Sequence, residues 1–391
     1  MDFAVGGRQK IMLKTKSFLY LILLFLSVGI GCFTKTSAKN SISGEIKSLP
    51  KGSLQLILEE DINRKKSRVV AEIPVDENGR FKFEKELLPH IYSLKINDEK
   101  SVVLGVEKGQ NIVITGDAAG SGQLQVAGSE DTAKLEAYEK FRKESLNRLV
   151  ISVRNQIKEL KEKGAPENDA KLLELARLEI ENYVRHKDEL IEFIKKEMGT
   201  SLAIYPTSIR WDGEKNLPFL TELAKQFESA HPNTEIAARI NEKVKALAAN
   251  SVGGKAAEIK MPDKNGEIVP LTSINAKYIL IDFWGSWCAP CRRESNLLAE
   301  LYQKFKPEGF EIYGVGLESG KEAWLKAIEQ DKRIWTNVST FQEFETPVTF
   351  DYAVTSLPAN VLVDNSGKVI AKNLHGDELK AAVEKLFSSE K

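Results

Sequence analysis

Two cysteines, Cys288 and Cys291, have the clearest capacity for chemistry in this sequence. They follow an apolar run at 278–284 and precede leucines at helical spacing, so we expect them where a buried strand ends and a helix begins. The free N–H groups and positive dipole end of a helix stabilise a thiolate. The pKa of Cys288 should therefore be lowered, which makes it the nucleophile at the exposed mouth of the helix. Cys291, one turn in and shielded, can close a disulfide with it.

A pair of this spacing can instead form half of a zinc site. A site of four thiolates needs a second pair, but the chain has only three cysteines, and the nearest histidine downstream is His375. Trp287 directly precedes the pair, and Pro290 suits the first helical turn, where its missing N–H costs nothing. The pattern therefore favours a redox-active disulfide, with no metal and no other cofactor.

The segment at 282–294, DFWGSWCAPCRRE, resembles the active site of the thioredoxin superfamily. Glu294 and the lead-in at 254–271, with its predicted hairpin, are similar to the exported TlpA/ResA-like branch of disulfide reductases. The resemblance covers about residues 254–388 and implies a protein-disulfide oxidoreductase that acts as a reductase. The motif alone leaves the redox direction open, because Ala289-Pro290 matches neither the Gly-Pro of thioredoxin nor the Pro-His of the strong oxidants.

The same resemblance identifies a groove for the client protein. In thioredoxin-like proteins, the proline that enters a late strand is cis and lies against the disulfide; Pro358 matches it. The alternative is that Pro358 simply begins an edge strand. Together with Leu357, Trp287 and Pro290, it is expected to border the groove in which a client strand lies.

Two carboxylates are implied to serve the dithiol. Asp282 matches the buried acid beneath the thioredoxin active site, and Glu294 matches the acid near the site in ResA-like proteins. A buried carboxyl has a raised pKa and could exchange protons with Cys291. For Glu294, the alternative is an exposed helical position.

Two other functions compete with disulfide exchange. A peroxidase of the peroxiredoxin type would need a P-x-x-x-T-x-x-C motif, but Gly285 stands three residues before Cys288, where threonine is required, and Phe283 lies five before it. The other alternative is a binding or scaffold protein of the cell envelope, whose N-terminal regions bind a partner while the redox region is accessory.

The first 31 residues predict a signal peptide, with a basic start and an apolar stretch at 18–30 that is short for a membrane span. The segment that ends at Cys32 resembles a bacterial lipobox, although Gly29 stands where leucine is usual. We therefore expect a lipid-anchored protein of the periplasm or cell envelope, with a tether at 32–40; the alternative is a plain secretory signal.

Three further regions follow the tether. Residues 41–127 show period-two runs between turn signals, which predict an antiparallel β-sandwich-like domain. Residues 130–250 carry apolar stripes at helical spacing, which serve core packing or, alternatively, dimerisation. Residues 254–391 alternate strand and helix, as an α/β thioredoxin-like fold with a mixed sheet requires. This order resembles multidomain Bacteroidetes lipoproteins that have an N-terminal β-rich domain of unassigned function.

The net charge and the expected compartment limit which partners are possible. Lys and Arg number 56, as do Asp and Glu, and this zero net charge argues against a nucleic-acid partner, which needs a basic face. The expected partners are client proteins with thiols or disulfides and the membrane that holds the lipid anchor. In an oxidising compartment the spent dithiol must be re-reduced, which implies an electron donor in the inner membrane.

Overall fold

Three regions of regular structure follow one another in the computed structural model, which describes residues 39–49, 51–166, 169–211 and 215–388. The predicted signal peptide (1–31) and the predicted lipidation site, Cys32, lie outside the described residues. Among the helices in the described ranges, none is long and apolar enough to cross a membrane.

The first region is an eight-stranded sheet. Its strands are β1 (Asn40–Lys47), β2 (Gly52–Asp61), β3 (Lys66–Val75), β4 (Arg80–Lys85), β5 (His90–Lys95), β6 (Ser101–Val106), β7 (Asn111–Asp117) and β8 (Leu124–Ala127). In β2, Leu54, Leu56 and Leu58 are buried in alternation with less buried neighbours, because successive side chains of a strand point to opposite faces. The apolar core contains strand and loop residues but none from a helix, so the sheet closes over its own core.

The strand order of this sheet is β6-β5-β2-β3-β4-β1-β7-β8. This arrangement confirms the predicted β-rich region. One neighbouring pair departs from the antiparallel expectation, since β1 and β7 run parallel. β4 pairs with one edge of β1, and β7 pairs with the other. The chain forms β2 to β6 before it reaches β7, which runs in the same direction as β1.

The second region is helical. Its helices are α1 (Glu130–Leu146), α2 (Ser152–Glu162), α3 (Ala170–Glu197), α4 (Ile204–Thr207), α5 (Leu217–Ala230) and α6 (Glu235–Ala249), with a π-helical turn, Asn147–Ile151, between α1 and α2. Ser129 and Asp169 begin α1 and α3 by accepting hydrogen bonds from backbone N–H groups of the first turn. The stripe residues Leu190 and Ile194 are buried in a cluster that includes Ile91 of β5, so core packing accounts for this stripe.

The third region begins with the predicted hairpin and continues as an α/β fold. Its elements are β9 (Lys260–Pro262), β10 (Ile268–Pro270), β11 (Tyr278–Trp284), α7 (Ala289–Phe305), β12 (Phe310–Gly316), α8 (Lys321–Gln330), β13 (Thr336–Val338), α9 (Pro347–Asp351), β14 (Ala359–Asp364), β15 (Val369–Lys372) and α10 (Gly376–Ser388). The main sheet has the order β13-β12-β11-β14-β15. Strands β11, β12 and β13 are parallel, whereas β14 is antiparallel to β11 and β15. This mixed sheet confirms the thioredoxin-like fold class.

Contacts from both upstream regions reach the segment around α9. The Arg64 guanidinium lies 3.9 Å from the centroid of the Phe350 ring. The Asn250 side chain donates a hydrogen bond to the backbone carbonyl of Asp351. Ala353 packs against the apolar cluster of the helical region. The chain that leads from α9 to β14 is therefore held against the upstream helices.

Candidate active site

The dithiol lies at the junction of β11 and α7, where the sequence predicts it. Cys288 is the residue before α7, and its sulfur accepts a hydrogen bond from the backbone N–H of Cys291, at 3.3 Å. The two sulfurs are joined in a disulfide. Pro290 occupies the first turn of the helix. The N-terminal end of α7 thus directs the N–H of Cys291 at the sulfur of Cys288, as thiolate stabilisation requires.

The exposure of the two cysteines differs from the expectation. Cys288 was predicted to be exposed and Cys291 shielded, but the relative exposures are 4% and 3%. Both belong to a cluster with Trp284 and Trp324, against which Leu357 packs. Both cysteines are buried among these side chains, so accessibility does not distinguish them in the oxidised form. Their positions relative to α7 distinguish the two cysteines, since only Cys288 caps the N-terminal end of the helix.

The loop between β11 and α7 is fixed by a buried carboxylate, Glu318, which sequence reasoning missed. Glu318 accepts hydrogen bonds from the backbone N–H of Ser286 at 2.5 Å and from its hydroxyl at 2.7 Å. Burial raises the pKa of Glu318, and the bonds from Ser286 oppose that rise. A Cβ added to Gly285 would lie 2.8 Å from the Trp287 ring, so this close approach requires glycine.

Trp287 is the exposed member of the loop. More than half of its surface, 54%, is accessible, while its indole N–H donates to the carbonyl of Leu317 at 2.8 Å. Its ring centroid lies 6.2 Å from that of Phe344. The indole is thus held in place while more than half of its surface stays accessible.

Asp282 is buried beneath the site and pairs with a fully buried arginine, Arg333. Burial raises the pKa of Asp282, and the guanidinium opposes that rise. Because a guanidinium stays protonated in proteins, protonating Asp282 would leave Arg333 buried without a countercharge. The guanidinium also lies 3.8 Å from the Trp284 ring centroid. The sequence analysis identified Asp282 but not Arg333, because an arginine with no visible partner is expected on the surface.

Arg333 also connects Asp282 to the helix of the dithiol. It donates to the Ser295 hydroxyl at 2.7 Å, and Ser295 donates in turn to the carbonyl of Cys291 at 3.2 Å. The buried network therefore runs from Asp282 to the backbone of the second cysteine.

Glu294 is a largely buried acid of α7. It is not an exposed helical residue, because its side chain is only 10% exposed. Its carboxylate lies 3.1 Å from Nδ1 of His375 and accepts a hydrogen bond from the backbone N–H of Gly376, also at 3.1 Å. A carboxylate at the N-terminal end of α10 is favourably placed for the helix dipole. Glu294 thus ties α7 to α10, and His375 joins the site as its partner.

The loop before β14 completes the site. The Leu357–Pro358 peptide bond is cis, which confirms the prediction. Pro358 and Leu357 line one cleft together with Pro290 and His375. The structure therefore brings the predicted groove residues Leu357, Pro358 and Pro290 together beside the disulfide.

Comparison with known sequences identifies relatives of the thioredoxin-like region. The AhpC/TSA family matches residues 252–372. The thiol-disulfide oxidoreductase ResA of Bacillus thuringiensis subsp. konkukian is 30% identical over 141 residues, a match that covers 34% of this chain and 75% of that protein. ResA of Bacillus subtilis is 31% identical over 120 residues, which cover 31% of this chain and 65% of that protein.

Solved structures give matches of similar extent. The thioredoxin domain of a thiol-disulfide oxidoreductase from Bacteroides vulgatus is 40% identical; the match covers 34% of this chain and 96% of that one, with a TM-score of 0.33. A thiol:disulfide interchange protein from Bacteroides sp. is 39% identical, with 35% of this chain and 90% of that one covered and a TM-score of 0.33.

The buried ion pair yields a prediction on stability. Arg333→Met leaves the Asp282 carboxylate buried without its partner, and Asp282→Asn leaves the Arg333 guanidinium buried without a countercharge. Each substitution should therefore lower the free energy of unfolding by about 3–5 kcal/mol. The double variant Asp282→Asn/Arg333→Met should lose much less than the sum of the two. Urea unfolding of the four proteins, followed by tryptophan fluorescence, measures this coupling. Additive losses would show that the two groups do not depend on each other.

Proposed function

We propose, from the premise that the chain belongs to the ResA family of thiol-disulfide oxidoreductases, that it reduces disulfides in proteins of the cell envelope through Cys288 and Cys291. The observation that carries the proposal is the disulfide at the N-terminal end of α7, with the cis bond before Pro358 in the neighbouring loop. This arrangement supplies a stabilised thiolate, a resolving thiol and a backbone surface for a client strand.

The reaction begins with both cysteines reduced. The Cys288 thiolate attacks a sulfur of the client disulfide, a mixed disulfide forms, and the other client sulfur leaves as a thiolate that takes up a proton. Cys291 then loses its proton and attacks the sulfur of Cys288, which releases the second client thiol. The client gains two electrons, and the dithiol becomes the disulfide seen in the structure.

Cys291 must lose a proton before it can resolve the mixed disulfide. Asp282 is the proposed acceptor, because burial raises its pKa and so favours proton uptake, and because the network through Arg333 and Ser295 ties it to the backbone of Cys291. The proton passes on to the departing client thiolate, because protonated Asp282 leaves Arg333 without a countercharge. Glu294 is the second proposed participant. Its fixed contact with His375 leaves it beside the cleft of the cis-proline loop.

The direction of exchange and its compartment belong to the same proposal. The resemblance of the active-site segment to the TlpA/ResA-like branch of disulfide reductases favours reduction of clients. A reductase in an oxidising compartment needs an inner-membrane donor that restores its dithiol. The basic start, the apolar stretch at 18–30 and Cys32 favour export and lipid anchoring. Leu357, Pro358, Trp287 and Pro290 then border the client groove outside the cytoplasm.

The order of attack predicts different products for two cysteine variants. Reduced Cys291→Ala should form a mixed disulfide with a protein substrate such as insulin and retain it, because no resolving thiol is present. Cys288→Ala should form none, since Cys291 does not cap the helix. Non-reducing electrophoresis and peptide mass spectrometry identify the linked cysteine, with the double variant as the control. Adducts on Cys291 in Cys288→Ala would reverse the proposed roles.

Lipid anchoring makes a second prediction. A fatty-acid analogue fed to cells that express the full chain should label the wild type and leave Cys32→Ala unlabelled, and the variant should shift from the membrane to the soluble fraction. Each buried CH₂ contributes about 0.8 kcal/mol to anchoring, so loss of all acyl chains should release the protein. Equal labelling of the two proteins would refute anchoring at Cys32 and leave the proposed reductase chemistry unaffected.

A further inference from the structure

The turn between β2 and β3 reaches from the β-rich region to the thioredoxin-like region. In this turn, the guanidinium of Arg64 lies 3.9 Å from the centroid of the Phe350 ring in α9. The neighbouring Lys65 pairs with Glu345 at 2.5 Å, and these two residues lie 280 positions apart in the chain. The first sheet is therefore in direct contact with the segment that leads to the cis-proline loop.

The Arg64 guanidinium is fixed on two sides. It donates hydrogen bonds to Asp61 of its own hairpin and to Glu242 of α6, both at 2.8 Å. Arg239 lies 3.5 Å from Asp61 and 3.3 Å from Glu242, so both carboxylates keep a cation nearby even without Arg64. Arg64 adds a planar cation that is held against an aromatic ring, an arrangement that attracts the ring to the guanidinium.

A short connection joins α9 to the cis-proline loop. The carbonyl of Asp351 accepts a hydrogen bond from the Asn250 side chain, and Ala353 packs against the helical core. A few residues later, Leu357 packs against the cluster that contains the cysteines and precedes the cis bond to Pro358. Because so few residues separate these contacts, a shift of α9 would move the loop beside the disulfide.

We propose that Arg64 is a positioning residue of the client groove, which acts through Phe350 and α9 to hold the loop of Pro358 where a client strand lies against it. The inference rests on the proposed reductase function and gives the β-rich region a part in it. A displacement of about 1 Å at a binding surface can slow a reaction by about a hundredfold. A small disulfide has no peptide backbone to lie along the loop. Its reduction should therefore not depend on Arg64.

Two substrates with the same leaving group test this proposal. One is a short peptide whose single cysteine carries a thionitrobenzoate group in a mixed disulfide. The other is the mixed disulfide of 2-mercaptoethanol with that group. The Cys288 thiolate of reduced full-length protein attacks the aliphatic sulfur, and thionitrobenzoate leaves and is followed by its absorbance. The measured quantity is the rate with the peptide divided by the rate with the small disulfide, and the wild type should prefer the peptide.

A matched pair of arginine variants in one hairpin isolates the contact with α9. Arg64→Ala should lower the rate ratio about tenfold and leave the rate with the small disulfide at the wild-type value. Arg68→Ala is the control, because Arg68 pairs with Glu60 of the same hairpin, at 2.5 Å, and its ratio should not change. Arg64→Lys retains a cation near the ring and should recover part of the loss.

A double-mutant cycle tests whether Arg64 acts through the ring. Phe350→Leu removes the aromatic face but keeps an apolar side chain, and it should lower the rate ratio to a similar extent. The double variant Arg64→Ala/Phe350→Leu should fall no further than the lower of the two single variants, because both substitutions remove one interaction. Circular dichroism confirms that each variant is folded.

The outcomes separate this inference from the reductase proposal. An unchanged ratio in Arg64→Ala, an equal loss with both substrates, or additive losses in the double variant would overturn the positioning role. A wild type that reduces the small disulfide but shows no preference for the peptide would also overturn it and leave the reductase chemistry intact. If the wild type reacts with neither substrate, the reductase proposal itself fails.

Discussion

The N-terminal end of α7 is the constraint on which the site depends. A disulfide between residues three apart in sequence must fit within one helical turn, and the thiolate of Cys288 needs the free N–H groups at that end. Strand β11 delivers the chain to this point, Gly285 lets the Trp287 ring approach, and Glu318 fixes Ser286 between them. The rest of the site serves to hold this helix end beside the loop that contains Pro358.

The buried charges beneath the helix are costly, and the structure compensates each of them. Asp282 is paired with Arg333, whose remaining hydrogen bonds reach Ser295 and Asn337. Removing one partner of such a pair is far more destabilising than replacing both. The pair therefore couples the stability of the region to the protonation state of Asp282. The carboxylate of Glu294 is compensated as well, since it accepts a hydrogen bond at the start of α10 and contacts His375.

The sequence predicted the elements that depend on local pattern. The apolar run of β11, the helical leucines of α7 and the hairpin of β9 and β10 were readable, and the resemblance to thioredoxins located the cis bond before Pro358. The sequence could not identify the partners of the buried charges. Arg333 lies 51 residues from Asp282, Ser286 lies 32 from Glu318, and His375 lies 81 from Glu294. Such pairs leave no periodic signal, and each charge alone resembles a solvated surface residue. The burial of Cys288 could not be predicted for the same reason, because Trp324 and Leu357, from distant parts of the chain, join its cluster.

The 288–291 dithiol is proposed to donate electrons to client disulfides, and its reduction potential tests this most directly. Full-length protein is equilibrated with glutathione or dithiothreitol buffers of known potential, and the reduced fraction is counted by thiol alkylation and mass spectrometry. A reductase should have a potential at or below about −220 mV, in the range that reaches thioredoxin at about −270 mV. A value near about −120 mV, as in a strong oxidant, would contradict the account, because such a disulfide would take electrons from clients instead of supplying them.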